Sequence, residues 1–361
     1  MELSKLSNIL KNNDIVLAIG LVVIVCMMVI PLPAAVLDLL LTVNISLAVV
    51  ILLVCLYTQE PLDYSSFPTV LLIATLFRLG LNVSSTRLIL LNGEAGNVIN
   101  SFGEFVVGGN YVVGAVIFCI LVLINFMVIT GGATRVAEVS ARFTLDKMPG
   151  KQLSIDADLN SGLIDEEQAK ERRRKLERET DFYGTMDGAS KFVKGDAVAG
   201  LIITVVNVVG GIAMGMLRQG LDISTALDKY VILTIGDGLV SQIPSLLISL
   251  STGILITKGS KEADFGSVLV KQLFGLPKVL YMVGITIAVL GLITPLNEII
   301  FVGVGVLFII GARMVESNIE TARIASEVGD DEIPAEEFRQ PENVTSLLQV
   351  DPIELEFGYG I

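Results

Sequence analysis

The sequence predicts an all-α polytopic membrane protein of about eight transmembrane helices, with a large charged cytoplasmic loop between helices four and five. Three observations predict it. The 361 residues are 52% hydrophobic, with a mean hydropathy of +0.72, far too apolar for a soluble enzyme. The apolar residues fall in blocks close to the roughly 20 residues that a spanning helix needs. None of them shows the short alternating segments of a transmembrane β-barrel.

The blocks follow one another along the chain. Ile15–Ile30 comes after Lys5 and Lys11, as in a signal peptide. Its exit, PLPAAVLDLL, lacks a small-residue cleavage site and runs into the next block, so it reads as a retained first helix. Ala34–Tyr57, Phe67–Leu91 and Tyr111–Thr130 make helices two to four. Ala197–Leu217, Tyr230–Thr257, Val279–Ile293 and Leu296–Ala312 make five to eight, with TPLN joining the last two. Between helices three and four, VINSFGEFVV fits a short interfacial helix.

Loop charge sets the orientation. About half of the 25 Lys and Arg residues lie between Gly131 and Lys194. Lys258, Lys261, Lys271 and Lys278 follow helix six, while the loop after helix three has no basic residue. The positive-inside rule then places both basic loops and both termini in the cytoplasm. Within the large loop, residues 131–195, DEEQAKERRRKLERE predicts a solvated helix. Asp165 and Gln168 form a capping pattern there, and Glu166–Lys170 and Glu171–Lys175 stand at i,i+4.

The transmembrane domain is expected over residues 1–313, followed by an acidic linker over 314–350 that carries most of the net charge of −13. In PIELEFGYGI, the alternation of Ile353, Leu355 and Phe357 predicts a half-buried strand. Residues 351–361 are therefore expected to open a truncated cytoplasmic domain.

Several chemistries are excluded. Histidine is absent, which removes the commonest general base and metal ligand. Cys26, Cys55 and Cys119 stand singly inside apolar blocks, so neither a disulfide framework nor a zinc site is expected. MPGKQ lacks the spacing and the following Ser/Thr of a phosphate loop. No basic patch with interleaved aromatics points to nucleic acid. The reading is of a non-enzyme without metal or cofactor, whose work is driven by a gradient or a partner.

Four features stand out against the hydrocarbon. Asp196, in KGDA, admits two readings: an N-cap opening helix five, or a proton relay on which burial and the nearby Lys191 and Lys194 act in opposite directions. Gly195 and Gly200 leave room beside it for a neighbouring helix or water. Asp237 lies between glycines, seven residues before Pro244. It is either a loop residue or a cavity-facing charge in a broken helix of the transporter kind, which the glycines and proline favour. Arg78 and Arg87 are nine apart in FRLGLNVSSTR and cannot share one strict face. One can snorkel; at least one needs an acid on another helix, and Asp38 is available. Gly211 and Gly215 form a G-x-x-x-G packing motif, within or between subunits.

These residues sit in long strings that resemble the FHIPEP family of flagellar and type III secretion export gates. The strings are RVAEVSARFTLDKMPGKQLSIDADLNSGLIDEEQAKERR, DFYGTMDGASKFVKGDAVAG, FRLGLNVSSTRLILL and LTIGDGLVSQIP, and the resemblance covers residues 15 to 313. It implies an integral protein of the bacterial inner membrane that couples proton or other ion movement to export of flagellar proteins. It further implies a homo-oligomeric ring, nonameric by family analogy, among other export-gate membrane proteins. An export ATPase complex, chaperones and substrates would engage mainly the cytoplasmic domain, of which only VDPIELEFGYGI is present. The family's charged positions fall on Asp196, Asp237, Arg135, Arg142, Asp146 and Lys191, which the resemblance implies take part in ion movement. Spacing by itself supports a basic rim, since Arg135 and Arg142 are two helical turns apart. Two other readings use the same charges: an ion-coupled small-solute transporter, and a non-conducting ring scaffold.

Overall fold

The computed structural model describes residues 13–258, 265–293 and 298–331. Lys5, Lys11, Lys261, the TPLN junction and the strand-like segment with Ile353, Leu355 and Phe357 lie outside the described residues. Every regular element among the described residues is helical. The chain divides into two compact units, residues 1–265 and 266–361.

Among the described residues the first unit holds nine α-helices: α1 Asn13–Val29, α2 Ala34–Tyr57, α3 Phe67–Asn92, α4 Gly96–Val107, α5 Tyr111–Met127, α6 Thr134–Asp146, α7 Met148–Asn160, α8 Glu166–Gln219 and α9 Ile223–Thr257. The second carries α10 Phe265–Phe274, α11 Pro277–Ile293 and α12 Glu298–Asp331. Among the described residues, six helical runs are long and apolar enough to cross a membrane: α2, α3, the run from α5, α8, α9 and α12. Two further apolar helices, α1 and α11, have 17 residues each, the short end of the range for a span.

Helix α8 departs most from the expected layout. It is 54 residues long, about 80 Å at 1.5 Å per residue. Its start is fixed by Asp165, whose carboxylate accepts the Gln168 amide at 2.8 Å while the Gln168 side chain accepts the Asp165 amide. Its end is fixed by Gly220, which adopts φ 65° as a left-handed cap. Asp196 therefore does not open a helix. It lies in the interior of one, and the cap reading falls to Asp165, where the capping pattern was legible.

The charged segment 131–195 is folded, not a loose loop. It comprises α6, α7 and the first half of α8. Met148 and Ile155 of α7 meet Ile164, Ala169 and Leu176, which docks α7 along α8. Arg172–Asp158, Arg173–Asp156 and Lys151–Glu179 bridge the same two helices. These pairs are solvent-exposed, so they align the helices more than they stabilise them. A π-helical stretch, Val128–Ala133, joins α5 to α6; its wider turns carry Gly131 and Gly132, and such bulges recur at functional sites.

Helix α9 is the hub. Toward its C-terminal half, Ile248, Leu255 and Ile256 join Ile51 and Cys55 of α2, Phe67 and Leu71 of α3 and Met186 of α8 in one apolar cluster. Toward its N-terminal half, Tyr230, Leu233 and Val240 join Leu37, Leu81, Ile89 and Ile99 in another. Pro244 sits inside α9. Its missing N–H removes one backbone bond, yet the chain stays helical from Ile223 to Thr257, so the expected break at Asp237 does not occur. Helix α4 crosses α9 closely: a Cβ on Gly236 would collide with the Ile99 carbonyl, and one on Gly103 with that of Ile232. The segment read as an interfacial helix is thus docked on the bundle.

In the second unit, α11 and α12 form a hairpin. A Cβ on Gly284 would stand 2.8 Å from the Gly305 carbonyl, so the backbones touch where neither residue has a side chain. Tyr281 donates to Glu316 at 2.9 Å. Helix α12 continues to Asp331, so the acidic segment read as a linker begins in helical conformation.

Candidate functional site

Between the two apolar clusters of α9 lies a polar layer. Helix α3 supplies Arg78 and, one turn on, Asn82; α8 supplies Asp196; α9 supplies Asp237, Ser241 and Ser245. They line a cavity of about 50 Å³, room for a few waters. Its α5 wall carries Asn125, just before the π-helical stretch.

Arg78 and Asp196 form an ion pair in this wall. They are 2% and 4% exposed. A buried charge needs a partner, and the two expectations for Asp196 and Arg78 resolve into a single contact. Arg78 Nη1, Asp196 Oδ1 and Asn125 Oδ1 have no hydrogen-bond partner among the described residues. Buried polar atoms are nearly always paired, so the cavity has spare capacity to bind water or protons.

Asp237 forms the far end of the layer. Its Oδ2 accepts Asn207 Nδ2 at 2.9 Å, and the nearby Ser85 hydroxyl donates to the Asn82 carbonyl at 3.1 Å. Asn207 is 11 residues after Asp196, three turns of α8, so both face α9.

The remaining predicted residues lie elsewhere. Asp38 is not the partner of either arginine. Its carboxylate accepts the Asn97 and Val98 amides at 2.9 and 3.1 Å, capping α4 from another helix. Arg87 donates to the Met28 and Val29 carbonyls, satisfying the last turn of α1 with no carboxylate involved. Gly211 and Gly215 face Tyr230 of the same chain, so the motif makes an internal notch. A Cβ on Gly195 or Gly200 would meet nothing within 4 Å, so no described helix of the first unit presses on them.

Arg135, Arg142 and Lys191 gather outside the cavity, on α6 and the adjoining face of α8. Arg135 pairs with Glu138 at 3.2 Å and Lys191 with Asp187 at 2.8 Å. The hydrogen bond and charge of Asp187 hold the Lys191 ammonium above its ordinary range; Glu138 adds to this, and the nearby Arg142 opposes it. Asp146 is exposed at the end of α6.

Asn82, Asn125, Asn207 and Ser85 were not singled out from the sequence. A signal existed: Asn82 stands one turn from Arg78 and Asn207 three turns from Asp196, so amides share a face with charges inside apolar blocks. Among the described residues, no group of three His, Cys, Asp or Glu is placed to hold a metal ion.

Fold and site together define a class: a helical protein with, among the described residues, six runs long and apolar enough to cross a membrane, and buried ionisable groups beside a small cavity between the helices. Within that class the chain belongs to the FHIPEP family, which matches residues 24–361. It is 51% identical over 352 residues to the flagellar biosynthesis protein FlhA of Bacillus subtilis, covering 98% of this chain and 52% of that protein. It is 54% identical over 286 residues to FlhA of Salmonella typhimurium, covering 78% of this chain and 41% of the relative. The low calcium response locus protein D of Yersinia pestis is 50% identical over 315 residues, 87% of this chain and 45% of its own length. The chain thus spans about half the length of these relatives. No solved structure matches it.

Proposed function

We propose that this chain is the membrane part of a type III protein export gate of the flagellar kind, seated in the bacterial inner membrane, and that ion movement through it drives export. The observation that carries the reading is the Arg78–Asp196 pair buried beside a cavity that also reaches Asp237. A proton arriving at Asp196 converts the carboxylate to a neutral acid and cancels its attraction for Arg78. The guanidinium, still charged and shielded from bulk water, must then find other acceptors, and Asn82, Asn125 and Asp237 are those at hand. Helices α3 and α8 are thereby driven to a second arrangement. Loss of the proton restores the pair.

In this reading eight helices cross the membrane and both termini are cytoplasmic. Copies of the chain form a ring with other gate proteins. Arg135, Arg142, Asp146 and Lys191 on the cytoplasmic helices pass the movement to the export machinery, whose chaperones and substrates engage the part of the relatives beyond this chain.

The test uses Asp196→Asn alone and combined with Arg78→Gln, which leaves no lone charge. Proton flux into liposomes and flagellar export in cells should be lost in both. Retention of flux and export in the doubly neutral protein overturns the coupling role. A wild type that assembles normally but is silent in the flux assay leaves the scaffold.

A further inference from the structure

Beyond Asp237, toward the turn joining α8 to α9, the polar layer ends at one side chain. Tyr230 is two turns before Asp237 on the same face of α9, with Thr234 between them, also buried. Its ring lies in the notch formed by Gly211 and Gly215 of α8; a Cβ at either glycine would strike it. Asn207, the partner of Asp237, is one turn before Gly211 on that helix. From Asp196 to Asn207 the layer extends about 16 Å along α8, and the notch follows directly. Beyond the ring, the end of α8 and the start of α9 carry exposed polar groups, among them the Lys229–Gln219 contact at 3.3 Å.

The chemistry of Tyr230 does not suit a purely apolar site. The residue is 0% exposed, within an apolar cluster with Ile89, Ile99 and Leu233. Its hydroxyl has no hydrogen-bond partner among the described residues. A buried hydroxyl without a partner is destabilising, and phenylalanine would fill the same space without that cost. The Asn207 Oδ1, also fully buried, lacks a partner too. Two unmatched polar atoms therefore flank the boundary between the polar layer and the surface at the α8–α9 turn.

We propose that Tyr230 is the plug of an aqueous passage contained within one chain, closing it between Asp237 and the α8–α9 turn. Movement of the ring out of the glycine notch admits water, which satisfies the Tyr230 hydroxyl and the Asn207 carbonyl together. The inference rests on the ion-coupled reading above, but its geometry is testable without it.

The experiment replaces Cys26, Cys55 and Cys119 by alanine and places one cysteine at Ser241, in the cavity wall. A small charged thiosulfonate is applied to oriented vesicles from each side. With Tyr230 present, Ser241→Cys should react at least tenfold faster from the side of the charged helices than from the side of the α8–α9 turn. Adding Tyr230→Ala should bring the two rates within about twofold, and Tyr230→Phe should keep them apart. Tyr230→Leu, smaller yet apolar, stands in if the alanine variant does not fold. Equal rates with Tyr230 present, or unchanged asymmetry in a folded Tyr230→Ala or Tyr230→Leu protein, overturn the plug. Proton flux is measured on the same vesicles. Should neutralising Asp196 leave flux intact while the labelling still depends on Tyr230, the ion-coupling role of Asp196 fails and the plug stands.

Discussion

Arg78 on α3 and Asp196 on α8 meet as an ion pair almost wholly shielded from solvent, although 118 positions separate them in the chain. The pair sits where apolar packing on α9 is interrupted, between the cluster at Ile248 and the cluster at Val240. It therefore joins two long helices across a layer that hydrocarbon does not fill.

Removing one member of the pair leaves the other as a lone buried charge, which costs about 3–5 kcal/mol. Asp196→Asn is expected to lower the melting temperature in detergent clearly, and Arg78→Gln to do the same. The double variant should recover most of the loss, because no uncompensated charge remains. Additive losses in the double variant would show that the two side chains are not energetically coupled.

Asp38 caps α4 from α2 through the Asn97 and Val98 amides. Losing a cap of this kind costs about 1 kcal/mol. Asp38→Ala should therefore speed hydrogen exchange at Asn97 and Val98 by roughly fivefold, and Asp38→Asn should fall between wild type and alanine. Unchanged exchange at these two amides would remove Asp38 from its structural role.

The Lys191 ammonium is held above its ordinary range chiefly by Asp187. A raised lysine contributes stability fully present below its unfolded-state pKa and lost as pH rises through the folded value. That window opens only above about pH 10. Between about pH 6 and about pH 9, Lys191→Ala should melt in parallel with wild type, the side chain being exposed and solvent-screened. Export lost in a variant that melts normally then reports function, whereas a pH-dependent gap in melting across this range would contradict the assigned pairing.

Apolar blocks near the length of a span, the Asp165–Gln168 cap and the polarity of the 131–195 segment were all legible in the chain, because each depends on neighbours within a few residues. So were the unusual charges at Arg78, Asp196 and Asp237, since an ionised group beside hydrocarbon stands out wherever it later folds. Their partners were not legible. Asp38 was the partner the sequence offered for an arginine, but α4 claims it, and the packing of α3 against α8 brings Arg78 to Asp196 instead. The helix containing Asp196 began at Glu166, 31 residues before the apolar block at Ala197, because the solvated helix expected there docks Ala169 and Leu176 on α7 and runs on into the apolar block without a break. Gly211 and Gly215 announced a close approach without naming its occupant, and Tyr230 of the same chain proved to fill it. Local pattern determines which segments become helices and which residues are costly to bury; the long-range contacts that offset that cost are made only when the helices meet.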